Sequence, residues 1–518
     1  MRTPSIITSC LGLFVIVSLL LDSPIPIKTE AQHQSAQTSS RTCAPIAASN
    51  EGTATGETDA FDTQIAGFLN EVNAVAGLAI SVVHHDRVIY ARGFGYQELE
   101  KCTPVTPDTR FYLKSTTKSF LGVLAAQLHE EGVIELDAPI TEYLPNLAPP
   151  GVNAAQLTIR HHLTHGIPYF DGGLNFKSAF IGMEESAYIP HVNTYSRAKD
   201  TRFQYSNFGP IIAAHAIGKA AKSNWRALIE NKVFAPLGMH NSFTYMSKAI
   251  NGPMATAYVF NQQGNLEATQ TKVDAQMHAA GGSVSTVDDL SRWLIASLND
   301  GKLGGQQALA ASAFQQAHAR QINMDWTYYK FRRFAHGFGH YSADYEGDLL
   351  MHHFGGETHV SFMPEHNIGI AVLSNQMQGG ALTTHRIAAL IYDILLEKEN
   401  MEGRWMEAKK EIMDAVSNMP ARQLSHIEQL KESVSDSGPK IDPSRLAGRY
   451  NNERIGDISI TLDTNQIRMR YGVLDGTLEH IEGNAYIARF MPWGGEAVLF
   501  RFNQDIVSKE ISIDWGGR

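Results

Sequence analysis

The run Ser119-Phe120-Leu121-Gly122-Val123-Leu124-Ala125-Ala126-Gln127-Leu128 constrains this chain more than any other segment. Wound as a helix, it is apolar on nearly every side, so it has no face to offer water and must lie inside a core. Gly132 stands where a left-handed C-terminal cap belongs. Directly before the run comes Ser115-Thr116-Thr117-Lys118. Residues three apart share a helix face, so Lys118 can reach the Ser115 hydroxyl. Ser115 falls in the first turn, where free N–H groups and the helix dipole favour developing negative charge. A serine hydroxyl attacks only once a base takes its proton. A lysine buried at such a helix binds its own proton weakly, which suits it to that task.

Two further motifs follow in order: Tyr205-Ser206-Asn207 and His353-Phe354-Gly355-Gly356. The first offers a second proton relay. The second offers a strand edge on which glycines let backbone approach a substrate and hold an oxyanion. Each pattern is weak alone. Ser-x-x-Lys recurs at Ser196/Lys199 and Ser437/Lys440, and Tyr-x-Asn recurs at Tyr450/Asn452. Context separates them: Ser437-Gly438-Pro439-Lys440 carries a helix-breaking pair, and Ser196-Arg197-Ala198-Lys199 has no apolar run behind it. Taken together, Ser115, Lys118, Tyr205, Asn207, His353, Gly355 and Gly356 describe covalent acyl transfer through a serine.

The 518 residues allow about two to four domains. A net charge of −10, with no compensating basic stripe, argues against nucleic acid as a partner. Residues 1–31 read as an export signal: Met1-Arg2 is a short basic start, Ile6 to Leu21 is apolar, and Thr29-Glu30-Ala31 is a small-x-small cleavage site. An uncleaved membrane anchor is the alternative. Cys43 and Cys102 remain after cleavage and could pair in an oxidising compartment, although sequence alone does not bring them together.

Residues 32–58, rich in Gln, Ser, Thr, Ala and Gly, read as a flexible tether. The catalytic domain is assigned to 59–400. It opens with an amphipathic helix at 61–69 and a hairpin of Leu78–Val83 and Val88–Tyr96. Helical patterns dominate from Ser115 to about Asp300. Strand patterns return at 349–353, 360–364 and 368–375, and a helix over 385–397 closes the unit. This order predicts an α/β (α+β) fold: a mixed sheet built from both chain ends beside an inserted helical region. Residues 401–440 form a charged helical linker with Gly438-Pro439 as a hinge. Residues 441–518 alternate apolar and polar in six short runs, with turns at Asp475-Gly476 and Gly494-Gly495, and predict a small antiparallel β-barrel or sandwich.

These motifs resemble those of the serine β-lactamase and penicillin-binding-protein-like hydrolases, nearest the branch of class C β-lactamases, D-aminopeptidases and family VIII esterases. The likeness runs from about Phe61 to Asn375. It includes Leu157-Thr158-Ile159-Arg160-His161-His162-Leu163-Thr164-His165, Val233-Phe234-Ala235-Pro236-Leu237-Gly238-Met239 and Ala280-Gly281-Gly282-Ser283-Val284-Ser285-Thr286. The C-terminal domain is similar to the small β-domain of some peptidase-like members. The resemblance implies that Ser115 attacks the carbonyl and that Lys118 and Tyr205 share base and acid work. Asn207 would hold the substrate amide or steady Lys118, and the N–H groups of Ser115 and Gly356 would form an oxyanion hole. It implies a peptide or other small-molecule substrate and no cofactor or metal.

Four departures bear on substrate. His353 replaces the usual lysine and would be mostly neutral near pH 7, which weakens selection for a free carboxylate and for β-lactams. Lys114 precedes the nucleophile where the family prefers a small residue. Gly166-Ile167-Pro168 replaces Thr-Ser-Gly. His352 and His359 are unusual. Arg332 and Arg333 are candidate carboxylate binders in place of the missing lysine. Two rival readings are a metallohydrolase built on His161 and His165, which lacks the glutamate of the zinc-protease motif, and a penicillin-binding sensor that acylates without turnover. Among enzymes, a peptidase acting on small or D-residue-containing peptides is favoured, with a carboxylesterase or a β-lactamase of the same family as the alternatives.

Overall fold

The computed structural model describes residues 43–514, apart from 59, 201, 262–263, 270, 433, 435–441, 453–455, 464–465, 473, 492–496 and 503–510. Its centre is a ten-stranded sheet assembled from both ends of the catalytic domain. In spatial order its path runs Thr53–Ala54, Arg87–Glu98, Gly77–His84, Ile368–Ser374, Thr358–Met363, Asp348–Phe354, Tyr341–Tyr345, Phe331–His336 and Ile322–Tyr328. The short strand Thr103–Pro104 pairs off Arg87–Glu98. The pairings are antiparallel, and the one joining the two chain ends sets Ile370 opposite Val82 and Ala371 opposite Ser81.

Successive side chains on a strand point to opposite faces, and the two central strands use both. Ala79, Val83, Ala371 and Leu373 belong to the core that surrounds the nucleophile helix Thr117–Glu130. Leu78, Ile80, Val82, Ile370 and Val372 belong to a second core, covered by helices Phe61–Val72, Gly380–Leu395 and Met401–Ser417. Strands buried on both faces carry near-continuous apolar runs, which is how these segments read.

The nucleophile helix is buried along almost its whole length, as its composition predicts. Gly132 (φ +69°) follows its C-terminus, with Val133 N–H donating to the Leu128 carbonyl and Gly132 N–H to that of His129. The helix closely approaches the connection between strands Phe331–His336 and Tyr341–Tyr345 at Gly122, where a Cβ would stand 2.0 Å from the Phe338 carbonyl oxygen.

Three differences from the sequence reading have physical causes. Within the predicted tether, residues 43–58 pack on the sheet: Ile46 is buried and exchanges hydrogen bonds with the Asn70 side chain. Thr53–Ala54 adds an edge strand, and Cys43 is disulfide-bonded to Cys102. Three strands, Ile322–Tyr328, Phe331–His336 and Tyr341–Tyr345, extend the sheet beyond the predicted set. In the C-terminal domain Asp475-Gly476 is not a turn but lies inside the strand Leu474–Glu482. Gly476 is there because a Cβ would meet the Arg489 carbonyl oxygen at 2.1 Å. That domain is a seven-stranded antiparallel meander from Gly448–Asn452 to Ile511–Asp514. The predicted signal peptide, the Gly438-Pro439 hinge and the Gly494-Gly495 turn lie outside the described residues.

Candidate active site

Ser115 lies in a 3-10 turn, Lys114–Thr116, that opens the nucleophile helix. The turn is tied down from several sides. Leu113 N–H donates to the Ser283 carbonyl (2.9 Å), the Thr117 hydroxyl to the Lys114 carbonyl (2.7 Å), and the Thr358 hydroxyl to the Leu113 carbonyl (3.2 Å). These bonds hold Lys114 at φ +50°, a conformation L residues adopt at a cost. Its ammonium turns away from the nucleophile to pair with Glu357 at 2.5 Å. The unusual lysine at this position therefore leaves Ser115 unobstructed.

Lys118 is 2% exposed and three residues on from Ser115. Its Nζ lies 3.0 Å from Ser115 Oγ, 2.8 Å from Asn207 Oδ1 and 2.7 Å from the Ala280 carbonyl oxygen. Burial holds its pKa well below the usual lysine range. A neutral amine has two N–H bonds and one lone pair. The two carbonyl oxygens can only accept, so they take both N–H bonds and the lone pair is left for the Ser115 hydroxyl.

Tyr205 completes the triangle. Its hydroxyl stands beside Ser115 and lies 3.3 Å from His353 Nε2, and its ring lies 4.9 Å from the Lys118 nitrogen. Burial pushes its pKa up, while the neighbouring Ser115 hydroxyl and the charge of Arg333 pull it partly back. A tyrosine base would need a cation to lower its pKa, and a neutral Lys118 does not supply one. The electrostatics separate the two groups, with Lys118 as the amine that accepts a proton and Tyr205 as the phenol that keeps one.

His353 is 1% exposed, and desolvation holds it well below the usual imidazole range. Its Nδ1 donates to the Gly339 carbonyl at 2.8 Å. The neutral ring then presents Nε2 as an acceptor, and the Tyr205 O–H fills it. His353 orients the phenol. Gly339 also receives the Ser119 hydroxyl (2.9 Å), so one carbonyl couples the nucleophile helix to the third motif.

Gly355 and Gly356 follow the strand that carries His353. A Cβ on Gly355 would stand 1.9 Å from the Leu113 carbonyl oxygen, so a side chain there would push the strand off the nucleophile turn. Gly356 has φ +72°, and a Cβ there would meet the Lys114 side chain at 3.2 Å.

The structure thus brings all seven predicted residues together. The competing patterns go elsewhere. Ser196 donates to the Val192 carbonyl and Lys199 to that of Asp200, and Tyr450 donates to the Leu446 carbonyl inside the C-terminal domain. His161 closes a capping box with Thr158. His165, at φ +62°, packs its ring 4.7 Å from Tyr205 and receives Ser206 N–H at 3.4 Å, bracing the second motif. His352 accepts from Arg333 Nε at 3.3 Å, and His359 meets His385 at 3.0 Å and Ser361 at 2.6 Å. Arg332 faces outward toward Asp325 (3.4 Å). Arg333 is buried among Tyr341 (4.0 Å), Tyr328 (4.2 Å) and Trp326 (5.0 Å), and among the described residues it has no carboxylate partner. Of the arginine pair, only Arg333 remains a candidate for reading substrate charge.

Sequence reasoning missed the carbonyls of Ala280 and Gly339, the bracing role of His165 and the Lys114–Glu357 pair. Ala280 had a signal in the Gly281-Gly282 that follows it, where a Cβ on Gly282 would stand 2.7 Å from the His278 backbone.

Comparison with known proteins bears on the family and the fold. A family model described as Beta-lactamase matches residues 65–392. The unguisins hydrolase ungD of Aspergillus violaceofuscus is 23% identical over 496 residues, covering 85% of this chain and 85% of that protein. A beta-lactamase of Escherichia coli is 25% identical over half of this chain and 67% of its own length. A teichoic acid D-alanine hydrolase of Staphylococcus aureus is 22% identical over 45% of this chain and 56% of its own. In three dimensions an octameric penicillin-binding protein homologue from Pyrococcus abyssi superposes with a TM-score of 0.56 at 22% identity, covering 87% of this chain and 96% of that one.

Proposed function

The chain is a serine hydrolase of the β-lactamase family, and from that premise we propose that it is an exported peptidase acting on small or D-residue-containing peptides through an acyl-enzyme. The observation that carries the amide preference is Tyr205, a phenol with a raised pKa that stands beside Ser115 with its hydroxyl 3.3 Å from His353 Nε2. An amide nitrogen leaves only when it is protonated, whereas a good alkoxide or phenoxide leaves without help. A site that keeps a proton beside the nucleophile is equipped for the harder bond.

In this reading neutral Lys118 takes the Ser115 proton as Oγ attacks the carbonyl carbon. The tetrahedral oxyanion lies between the N–H groups of Ser115 and Gly356, an interaction of a kind worth about 3 kcal/mol per donor. The C–N bond then breaks as Tyr205 hands its proton to the leaving nitrogen. The proton on Lys118 restores Tyr205. Water repeats the sequence on the acyl-serine, and Lys118 again serves as base. Asn207 steadies Lys118, and neutral His353 aims the phenol.

A relative that is a teichoic acid D-alanine hydrolase supports a D-alanyl or similar D-residue group in the substrate. The neutral His353, where a fixed cation would meet a carboxylate, supports poor turnover of β-lactams. The disulfide Cys43–Cys102 supports an oxidising, exported address.

The test compares Tyr205→Phe with wild type on a D-aminoacyl p-nitroanilide and on the matching p-nitrophenyl ester. The amidase reading expects kcat/KM to fall at least about tenfold further for the anilide than for the ester. Equal losses on both would contradict it and favour a carboxylesterase.

A further inference from the structure

Behind the nucleophile turn lies a cavity of about 80 Å³. It starts at Lys114, the residue before Ser115, whose side chain also underlies Gly356. The Lys114 side chain thus joins this space to the glycine that would face a substrate carbonyl. The charges around it are already answered. Lys114 is paired with Glu357, and Lys272 donates to the Ala179 carbonyl with its ammonium 4.7 Å from the Phe180 ring and 5.6 Å from that of Tyr112. Burial lowers Lys272 to about 7, so its charge is weakened. The rest of the lining is mainly apolar, including Met246, Met254, Ala257, Phe180 and Met377, with Thr271, Ser374 and Asn375 as polar members.

Phe180 and Met377 have a second attachment. Both pack with the apolar core of the C-terminal β-domain, among Leu446, Tyr471 and Leu474. The domains meet closely there: a Cβ on Gly472 would stand 2.8 Å from the Ile181 side chain and 3.1 Å from the Phe180 carbonyl oxygen. The outer wall of the cavity is thus held in place by the accessory domain.

We propose that this cavity is a side-chain subsite for a branched aliphatic residue, of valine or leucine size, and that the C-terminal β-domain sets its width through Phe180 and Met377. Size favours an aliphatic occupant. The space is about half of the roughly 150 Å³ apolar cavity that accepts benzene. Chemistry favours an uncharged one, because an ammonium or carboxylate would enter a wall whose ionic groups are already paired or desolvated. The inference rests on the acyl-serine reading above and adds which side chain the site selects.

The test measures kcat/KM on alanyl, leucyl and phenylalanyl p-nitroanilides, in both enantiomers, for the full-length wild type, Ala257→Phe and Met377→Ala. A fluorophosphonate mass adduct on Ser115 is scored for each. Wild type is expected to prefer leucyl over alanyl by on the order of 100-fold. Ala257→Phe, which fills the cavity, is expected to cut that ratio at least about tenfold. Met377→Ala, which widens the outer wall, is expected to raise the phenylalanyl-to-leucyl ratio. An adduct on Ser115 with both ratios unchanged in the variants, or a wild type that favours alanyl, would overturn the proposal. If Ala257→Phe does not fold, the ratio in Met377→Ala decides. No adduct on the wild type would instead overturn the acyl-serine reading.

Discussion

Lys118 Nζ lies 3.0 Å from Ser115 Oγ while its other two neighbours, Asn207 Oδ1 and the Ala280 carbonyl, are both acceptors. Burial holds the pKa of this amine well below the usual lysine range, which favours its neutral form. In the proposed mechanism desolvation thus prepares Lys118 as the base.

Replacing Lys118 with Met keeps the length of the side chain and removes the lone pair. Steady-state kcat/KM on the best substrate is expected to fall by at least about 100-fold, the usual worth of a positioned base. Retained wild-type activity would move the base role to Tyr205.

The pH profile follows from the direction of each shift. Lys118 has a folded-state pKa below its ordinary value, and its neutral form does the work. Activity is expected to rise as pH climbs through that lowered value and to be lost beneath it. Tyr205 is shifted upward, so its ionisation gives no alkaline fall below about pH 10. Over the same range the unfolded chain holds a proton on Lys118 that the folded chain lacks, so this group's contribution to stability increases with pH. A kcat/KM profile from pH 5 to 10 checks the first two points.

The Lys114–Glu357 pair is nearly buried, with side chains 13% and 6% exposed. Removing one partner strands the other charge. Glu357→Gln is expected to destabilise by about 3 kcal/mol or more, and Lys114→Met/Glu357→Gln by clearly less than the sum of the single changes. Urea denaturation of the four proteins measures this coupling.

The disulfide closes a loop of 59 residues in sequence separation. Chain-entropy reasoning gives it roughly 4 kcal/mol of stabilisation. Cys102→Ser is expected to lower the denaturation midpoint by a corresponding amount and to release the segment carrying Ile46, seen as faster proteolysis there.

Much of this site was legible because its signals are local. Ser115 and Lys118 are three residues apart, and the apolar run behind them distinguishes that pair from the two other Ser-x-x-Lys pairs. What escaped was held by distant partners. Glu357 stands 243 residues from Lys114, and nothing near either names the other. The strand Ile322–Tyr328 carried a signal in the alternation of Ile322, Met324, Trp326 and Tyr328 with polar residues, but its length is spread over aromatic and charged neighbours that blur a period of two. Asp475-Gly476 misled because a glycine serves close backbone approach as readily as it serves a turn. Residues 43–58 have tether-like composition, yet the Cys43 disulfide, the buried Ile46 and the edge strand Thr53–Ala54 fasten them to the sheet.

The most direct test of the central claim is intact-mass spectrometry of wild type and Ser115→Ala after brief exposure to a fluorophosphonate and to a D-aminoacyl p-nitrophenyl ester. The account predicts a single covalent adduct on wild type, mapped by peptide digestion to Ser115, and none on Ser115→Ala. An adduct that persists on Ser115→Ala, or substrate turnover with no adduct on either protein, would contradict it.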